Sequence, residues 1–183
     1  MVLNLDASDP SSYSGSGSTW NDTSGNNKDF NINTATYNND GYFVFDGNDG
    51  MTGPPSNSFG LSQTDHTIEI VLMNTTITNQ SVIHFRGNST SNPGFTNSAA
   101  SIGFLNGHGH YFKGRLYSVR VYNRALTDQE IANNYAYYQD PRNISISSNT
   151  VTENSSIGTT IGNFSSTGMN QNGTFTYTLA SSG

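Results

Sequence analysis

Glu69 is the only acid in an apolar run, HTIEIVLM from His66 to Met73, and a hydrolytic reading stands or falls on it. Glycoside hydrolysis needs two carboxyl groups flanking one bond, one as acid and the other as base or nucleophile. A lone carboxylate cannot fill both roles. No nucleophile paired with a base is legible elsewhere, so no catalytic residue is assigned and the chain is expected not to be an enzyme. Metal chemistry has three places to start. His108 and His110, in NGHGH, stand two apart and would point the same way from a strand, within reach of His84 or His66 as further ligands; a glycine-rich turn with two exposed histidines is the simpler reading. Asp46-Gly47-Asn48-Asp49-Gly50 is dense in oxygens, which suits calcium, but its glycines equally mark a tight turn. Asp22, Asn26 and Asp29 match no cation loop with defined ligand positions, and as turn residues they would hydrogen-bond their own backbone.

Ligand recognition without turnover asks for less. Neutral donors, acceptors and flat rings in loops suit hydroxyl-dense ligands. Tyr13, Asp49 and His108 lie in loops, and Tyr137 falls on the outer side of a helix; these four are the candidate ligand-binding residues. Trp20, the single tryptophan, sits among turn formers in TWNDTSGN. Its indole can cover a sugar ring or plug the end of a sandwich, and we take it as structural.

The elements that position these residues are mostly strands. From Arg115 to Tyr122 the side chains alternate, with Tyr117, Val119 and Val121 on one side and Ser118 and Arg120 on the other. Thr127 followed by Glu130 is then a capping box. Leu126 and Ile131 form a hydrophobic staple, and Ile131, Tyr135 and Tyr138 share one side of a short helix. Upstream, Leu3 and Leu5 share a strand face, Phe30 and Ile32 alternate, and Phe43 and Phe45 share another face. His66 to Met73 is expected to be a central strand buried on both faces. Met51 to Thr64, with Pro54-Pro55, is expected to be loop. Strands are also expected over Val82 to Arg86 and Ser101 to Leu105.

Gly114, Arg115, Leu116, Val119, Arg120, Val121, Tyr122, Asn123, Arg124, Ala125, Leu126, Thr127, Glu130 and Ile131 together resemble the closing strand and helix of laminin-G-like, concanavalin A-like domains. The opening, LNLDASDPSSYSGSGSTWNDTSGN from Leu3 to Asn26, and the stretch Tyr42 to Asn48 resemble the same family. The resemblance covers most of residues 2–138 and implies an all-β jelly-roll β-sandwich with one short helix, in a binding or adhesive role. Related glucan hydrolases carry E-x-D-x-x-E on one strand; here Val71 and Asn74 stand where the second and third carboxylates would be. After a linker at 139–143, residues 144–183 resemble the start of a cadherin-like repeat, through Ile144, Ile146, Val151, Glu153-Asn154, Ile157, Ile161 and the alternation Phe175, Tyr177, Leu179. Glu153 falls where that family places its first calcium ligand, which makes Ca2+ the one cofactor implied. The family's later acidic motifs do not follow, so tight calcium binding at Glu153 is not expected.

Composition fits this outline. Of 183 residues 32% are hydrophobic and 11% charged, so the polar remainder is neutral, while ten Tyr and ten Phe supply the rings of many short strands. The net charge of −6, with only seven Lys and Arg, argues against nucleic acid and against an anionic membrane surface. No apolar run is long enough for a spanning helix, and Met1 leads into Val2, Leu3 and Asp6 without a signal-peptide pattern. With no cysteine, disulfides give no clue to compartment. Eight N-x-[ST] sequons are what so Asn-, Ser- and Thr-rich a chain holds by chance. The expectation is a non-catalytic binding or adhesion module of a larger extracellular, cell-surface or virion-surface protein, recognising carbohydrate or a protein partner. A purely structural fibre or particle domain, or a hydrolase relative that has lost its carboxylates, is the alternative.

Overall fold

The computed structural model describes residues 1–61, 65–76, 80–85, 98–105, 109–139 and 143–167. Two compact units divide the chain, Met1–Leu126 and Thr127–Gly183. In the first unit the strands are β1 (Leu3–Asp6), β2 (Thr19–Trp20), β3 (Phe30–Ile32), β4 (Thr36–Asn38), β5 (Tyr42–Asp46), β6 (Met51–Pro55), β7 (Thr67–Asn74), β8 (Ile83–His84), β9 (Ala99–Ile102), β10 (Phe104–Leu105), β11 (His110–Tyr111) and β12 (Lys113–Tyr122), with a 3-10 turn at Ser56–Phe59. Every ladder is antiparallel. The architecture is all-β.

The ten-residue β12 is the spine of one five-stranded sheet. β7 pairs along its whole length on one side. On the other, β5 takes Lys113 to Leu116 and β1 takes Ser118 to Val121, with β4 beyond β5. The second sheet runs β2-β3-β6-β9-β8. One core serves both sheets: Leu3, Leu5, Phe43, Phe45, Leu116, Val119 and Val121 come from the first, Trp20, Phe30, Met51, Ala100 and Ile102 from the second. Alternation explains the choice, since residues two apart on a strand share a face.

The alternation fails at one place. A bulge lies between Leu116 and Ser118, and an extra residue there reverses the faces. Leu116 therefore points into the core with Val119 and Val121, while Tyr117, expected beside them, turns outward and packs on Tyr42 at 5.2 Å between ring centroids.

Two expectations are corrected. β7 is no central strand: among the described residues it pairs with β12 alone, and Ile68, Leu72 and Met73 are 37%, 36% and 41% exposed. An apolar run marks a place to bury side chains, but an edge strand has a neighbour on one side only. Met51 to Pro55 is strand rather than loop, and lies between β3 and β9. Its prolines fit because β3 reaches only Met51 and Thr52, and the ladder to β9 shifts register between Thr52 and Pro55; no ladder to β3 asks for an N–H at Pro54 or Pro55.

Glycines mark the closest approaches. A Cβ on Gly114 would run into the Met73 carbonyl oxygen of the neighbouring strand, and one on Gly53 would sit 2.5 Å from the Phe30 ring. Both positions need the bare backbone.

The second unit opens with α1 (Asp128–Gln139) and continues as the hairpin β13 (Asn143–Ile146) and β14 (Phe164–Thr167). The helix starts as expected. The Thr127 amide donates to Glu130 Oε2 at 2.9 Å, and the Glu130 amide donates to Thr127 Oγ1 at 3.3 Å, the two halves of a capping box. Thr127→Ala is expected to cost the helix about 1 kcal/mol, read as a lower unfolding midpoint in the helical circular-dichroism signal; an unchanged midpoint would mean that the cap carries no load. The expected apolar stripe is not covered, however. Tyr138 is buried, but Ile131 is 47% and Tyr135 68% exposed. Of the stretch expected as a linker, 140–142 lie outside the described residues, as does the expected strand pattern at Phe175, Tyr177 and Leu179. No helix among the described residues is long and apolar enough to cross a membrane.

Candidate functional site

Two of the four ligand-binding candidates belong to the interior. Tyr13 is buried, its ring 4.8 Å from Tyr37 and 5.0 Å from Phe43, and its hydroxyl donates to the Gly17 carbonyl. A loop of turn formers suggested exposure, but a ring in a loop that crosses the mouth of the core is worth more inside it. Asp49 is buried as well, and its Oδ2 accepts from the Asp46 amide at 2.8 Å while Asp46 Oδ1 accepts from Asn48. The oxygens that invited calcium thus brace their own turn. His108 lies outside the described residues. Tyr137, in the second unit, is 48% exposed, with Tyr138 edge-on to it at 5.2 Å.

The other oxygen-rich loop is built the same way, but more tightly. Asp22 Oδ1 accepts from the amides of Asn4 and Ser24, and Oδ2 from the Lys28 amide and the Ser24 hydroxyl, all at 2.9 to 3.0 Å. Asp29 in turn accepts from the Asp22 amide at 2.7 Å. Four donors on one carboxylate fill its acceptor sites; Asp22 is the staple that fixes residues 21–29 to β1. Nearby, Asp6 accepts from the Ser8 amide and hydroxyl and lies 4.0 Å from Arg120, whose Nε donates to Asn4.

Metal candidates are not brought together. Among the described residues no three His, Cys, Asp or Glu side chains gather closely enough to hold an ion. Glu153 is exposed on a turn where the Ser155 amide donates to the Thr152 carbonyl. Glu69 stands opposite Arg120 in the ladder between β7 and β12.

What the first unit does expose is one half of a sheet face, a feature that reading strand by strand missed. Phe112 is fully buried, so Tyr111 and Lys113, its neighbours in an extended chain, face outward, and Arg115 follows two residues on. Arg115 is flanked in register by Val44 of β5 and Met73 of β7. All three hydrophobic side chains are open to solvent, Val44 at 36%, Tyr111 at 39% and Met73 at 41%. The Tyr111 ring lies nearly parallel to Phe104, at 23° and 6.3 Å. Phe104 is itself hemmed in by the backbone at Gly50, so the tyrosine has a firm backing. The Arg115 guanidinium rests 4.8 Å over the Tyr42 ring, and the Lys113 stem crosses Gly47. The only strand-pairing signal in the sequence was the alternation of each strand; that β5, β12 and β7 align Val44, Arg115 and Met73 in one row depends on register.

A scan against protein-family models finds no match to the chain, and neither a curated protein nor a solved structure matches it.

Proposed function

We propose that the first unit is a non-catalytic carbohydrate-binding and adhesive module of a larger extracellular, cell-surface or virion-surface protein. The jelly-roll framework suggested by the laminin-G-like resemblance, followed by the start of a cadherin-like repeat, belongs to the same proposal. One observation carries it: the polar side chains at Asp22, Asp46 and Asp49 are committed to holding loops, whereas Val44 and Met73 are left open on either side of Arg115 on one sheet face, and Tyr111 is open on the strand that leads into β12. Such a face, with a backed tyrosine ring and flanking polar groups, suits the mixed apolar and hydroxylated surface of a saccharide. Calcium has no assigned part in it, since Glu153 offers one carboxylate where the ion takes six to eight oxygens.

A glycan array probed with the 183-residue chain, with and without calcium, is expected to show binding that does not depend on the ion. Silence across the array, together with assembly of the protein into fibres or particles, would favour a purely structural domain instead.

A further inference from the structure

The geometry points to β7 as an edge that pairs with β7 of a second copy of this chain, Ile70 facing the partner's Ile70 across a twofold axis. This pairing goes beyond the carbohydrate reading and does not rest on it.

Among the described residues β7 pairs with β12 alone. Just past its end the Thr75 amide donates to the Lys113 carbonyl. Amides two residues apart on a strand point the same way, so those of Met73, Val71, Glu69 and Thr67 also turn towards β12. The bulge does not disturb this alternation, because its extra residue, Tyr117, lies on β12. The amides and carbonyls of Ile68, Ile70 and Leu72 therefore point away from β12. Their side chains stand opposite Val121, Val119 and Leu116, which are buried in the core, and so lie on the core side of the sheet. Ile70 packs against the core, but Ile68 and Leu72 stay 37% and 36% exposed. Outward backbone and a half-covered apolar row thus coincide along one strand. Sheet edges are usually blunted by lysine, proline or a bulge in the edge strand itself, and Thr67–Asn74 has none of these.

The pattern is complementary to itself, and this is what names the occupant. A twofold pair of β7 edges is antiparallel. Centring it on Glu69 would oppose two like charges, and centring it on Val71 would set Ile68 against the partner's Asn74. Centred on Ile70, Ile68 meets the partner's Leu72 on either side of the axis. Every pair on that face is then apolar and exchanges two backbone hydrogen bonds. On the other face Glu69 meets the partner's Val71 and keeps Arg120 opposite it on its own β12. Such an axis stands normal to the sheet, so the Val44, Arg115 and Met73 rows of both copies face the same side and can engage one surface together. One strand pair covers on the order of 1,000 Å2, the low end for a specific interface, so the dimer is expected to exchange with monomer in the micromolar range.

Sedimentation equilibrium of the full chain reads the pairing as a mass that rises with concentration from 19.7 kDa towards twice that value. Ile68→Asp and Leu72→Lys are each expected to weaken association about tenfold or more, by placing a charge in an apolar pair. In this register the two positions face each other, so an equimolar mixture of the two variants is expected to associate again. Leu72→Pro removes an outward amide and no bond to β12, and it too is expected to stay monomeric. Unfolding midpoints check that each variant is folded. Tyr135→Ser, at an exposed ring on α1, is expected to leave the mass unchanged. A parent chain that remains at 19.7 kDa at hundreds of micromolar overturns the pairing and leaves the edge to a strand of another protein. Folded variants that associate as the parent does, a mixture that stays monomeric, or loss of association on Tyr135→Ser overturns it as well.

Discussion

Phe43→Ala is expected to lower the stability of the first unit by about 4 kcal/mol, within the range of about 3 to 5 found for deleting a buried aromatic ring. Phe43 is fully buried on β5 and is where four rings converge: Trp20 lies 4.8 Å away, Tyr13 5.0 Å and Tyr37 5.3 Å. Tilted and edge-on pairs of this kind add about 0.5 to 1.5 kcal/mol beyond their area. The neighbours cannot close the gap, because two of them are tethered elsewhere: Tyr13 donates to Gly17, and Tyr37 donates to the Ala7 carbonyl. Burial, helped by Tyr13, Asp40 and Asp6, raises the Tyr37 pKa, which keeps that hydroxyl a donor. Phe43→Leu keeps most of the volume and is expected to cost under half as much. Denaturant unfolding followed by tryptophan fluorescence reads both, and a loss below about 1 kcal/mol for the alanine variant would remove Phe43 from the centre of the core.

Asp22→Ala is expected to cost about 3 kcal/mol, a large effect for a residue in a loop. The carboxylate accepts four hydrogen bonds, and a bond to a charged partner is worth about 1.5 to 3 kcal/mol net. Asp22 is only half-buried, so water replaces part of what is lost. Its reach is the reason for the size of the effect. The bond from the Asn4 amide ties the loop to β1 eighteen residues away, so the strand that pairs with the second half of β12 loses its support. Asp22→Asn keeps one acceptor oxygen but turns an amide donor towards another donor, and an intermediate loss follows. A calorimetric midpoint that Asp22→Ala does not lower would show that the loop is held by other means.

Much of the framework was legible because it is written in local patterns. The faces of Leu3 and Leu5, and of Phe43 and Phe45, follow from alternation, and the helix start follows from Thr127 and Glu130 three residues apart. What escaped depends on partners distant in the chain. Nothing within TIEIVLM says that its strand has a neighbour on one side only, and so Ile68, Leu72 and Met73 were expected to be buried. Pro54-Pro55 argued for a loop, since a proline cannot donate to a ladder, yet the ladder to β3 ends before it. Tyr117 was assigned to the wrong face because a bulge leaves no mark in the alternation it interrupts. At the site the same limit applied. Tyr13 and Asp49 read as exposed loop residues because loops of Ser, Gly, Asn and Asp usually are; one turned out to close the core and the other to brace a turn. Val44, Arg115 and Met73 come from three segments and become one row only through register.

The most direct test of that surface as the binding face is chemical-shift mapping on the isotope-labelled 183-residue chain, titrated with the saccharide that binds best on the array. The largest amide shifts are expected at Val44, Met73, Tyr111, Lys113 and Arg115, on β5, β7, β11 and β12. Shifts confined to the Asp22 or Asp49 loops, or to the second unit around Tyr137, would contradict it.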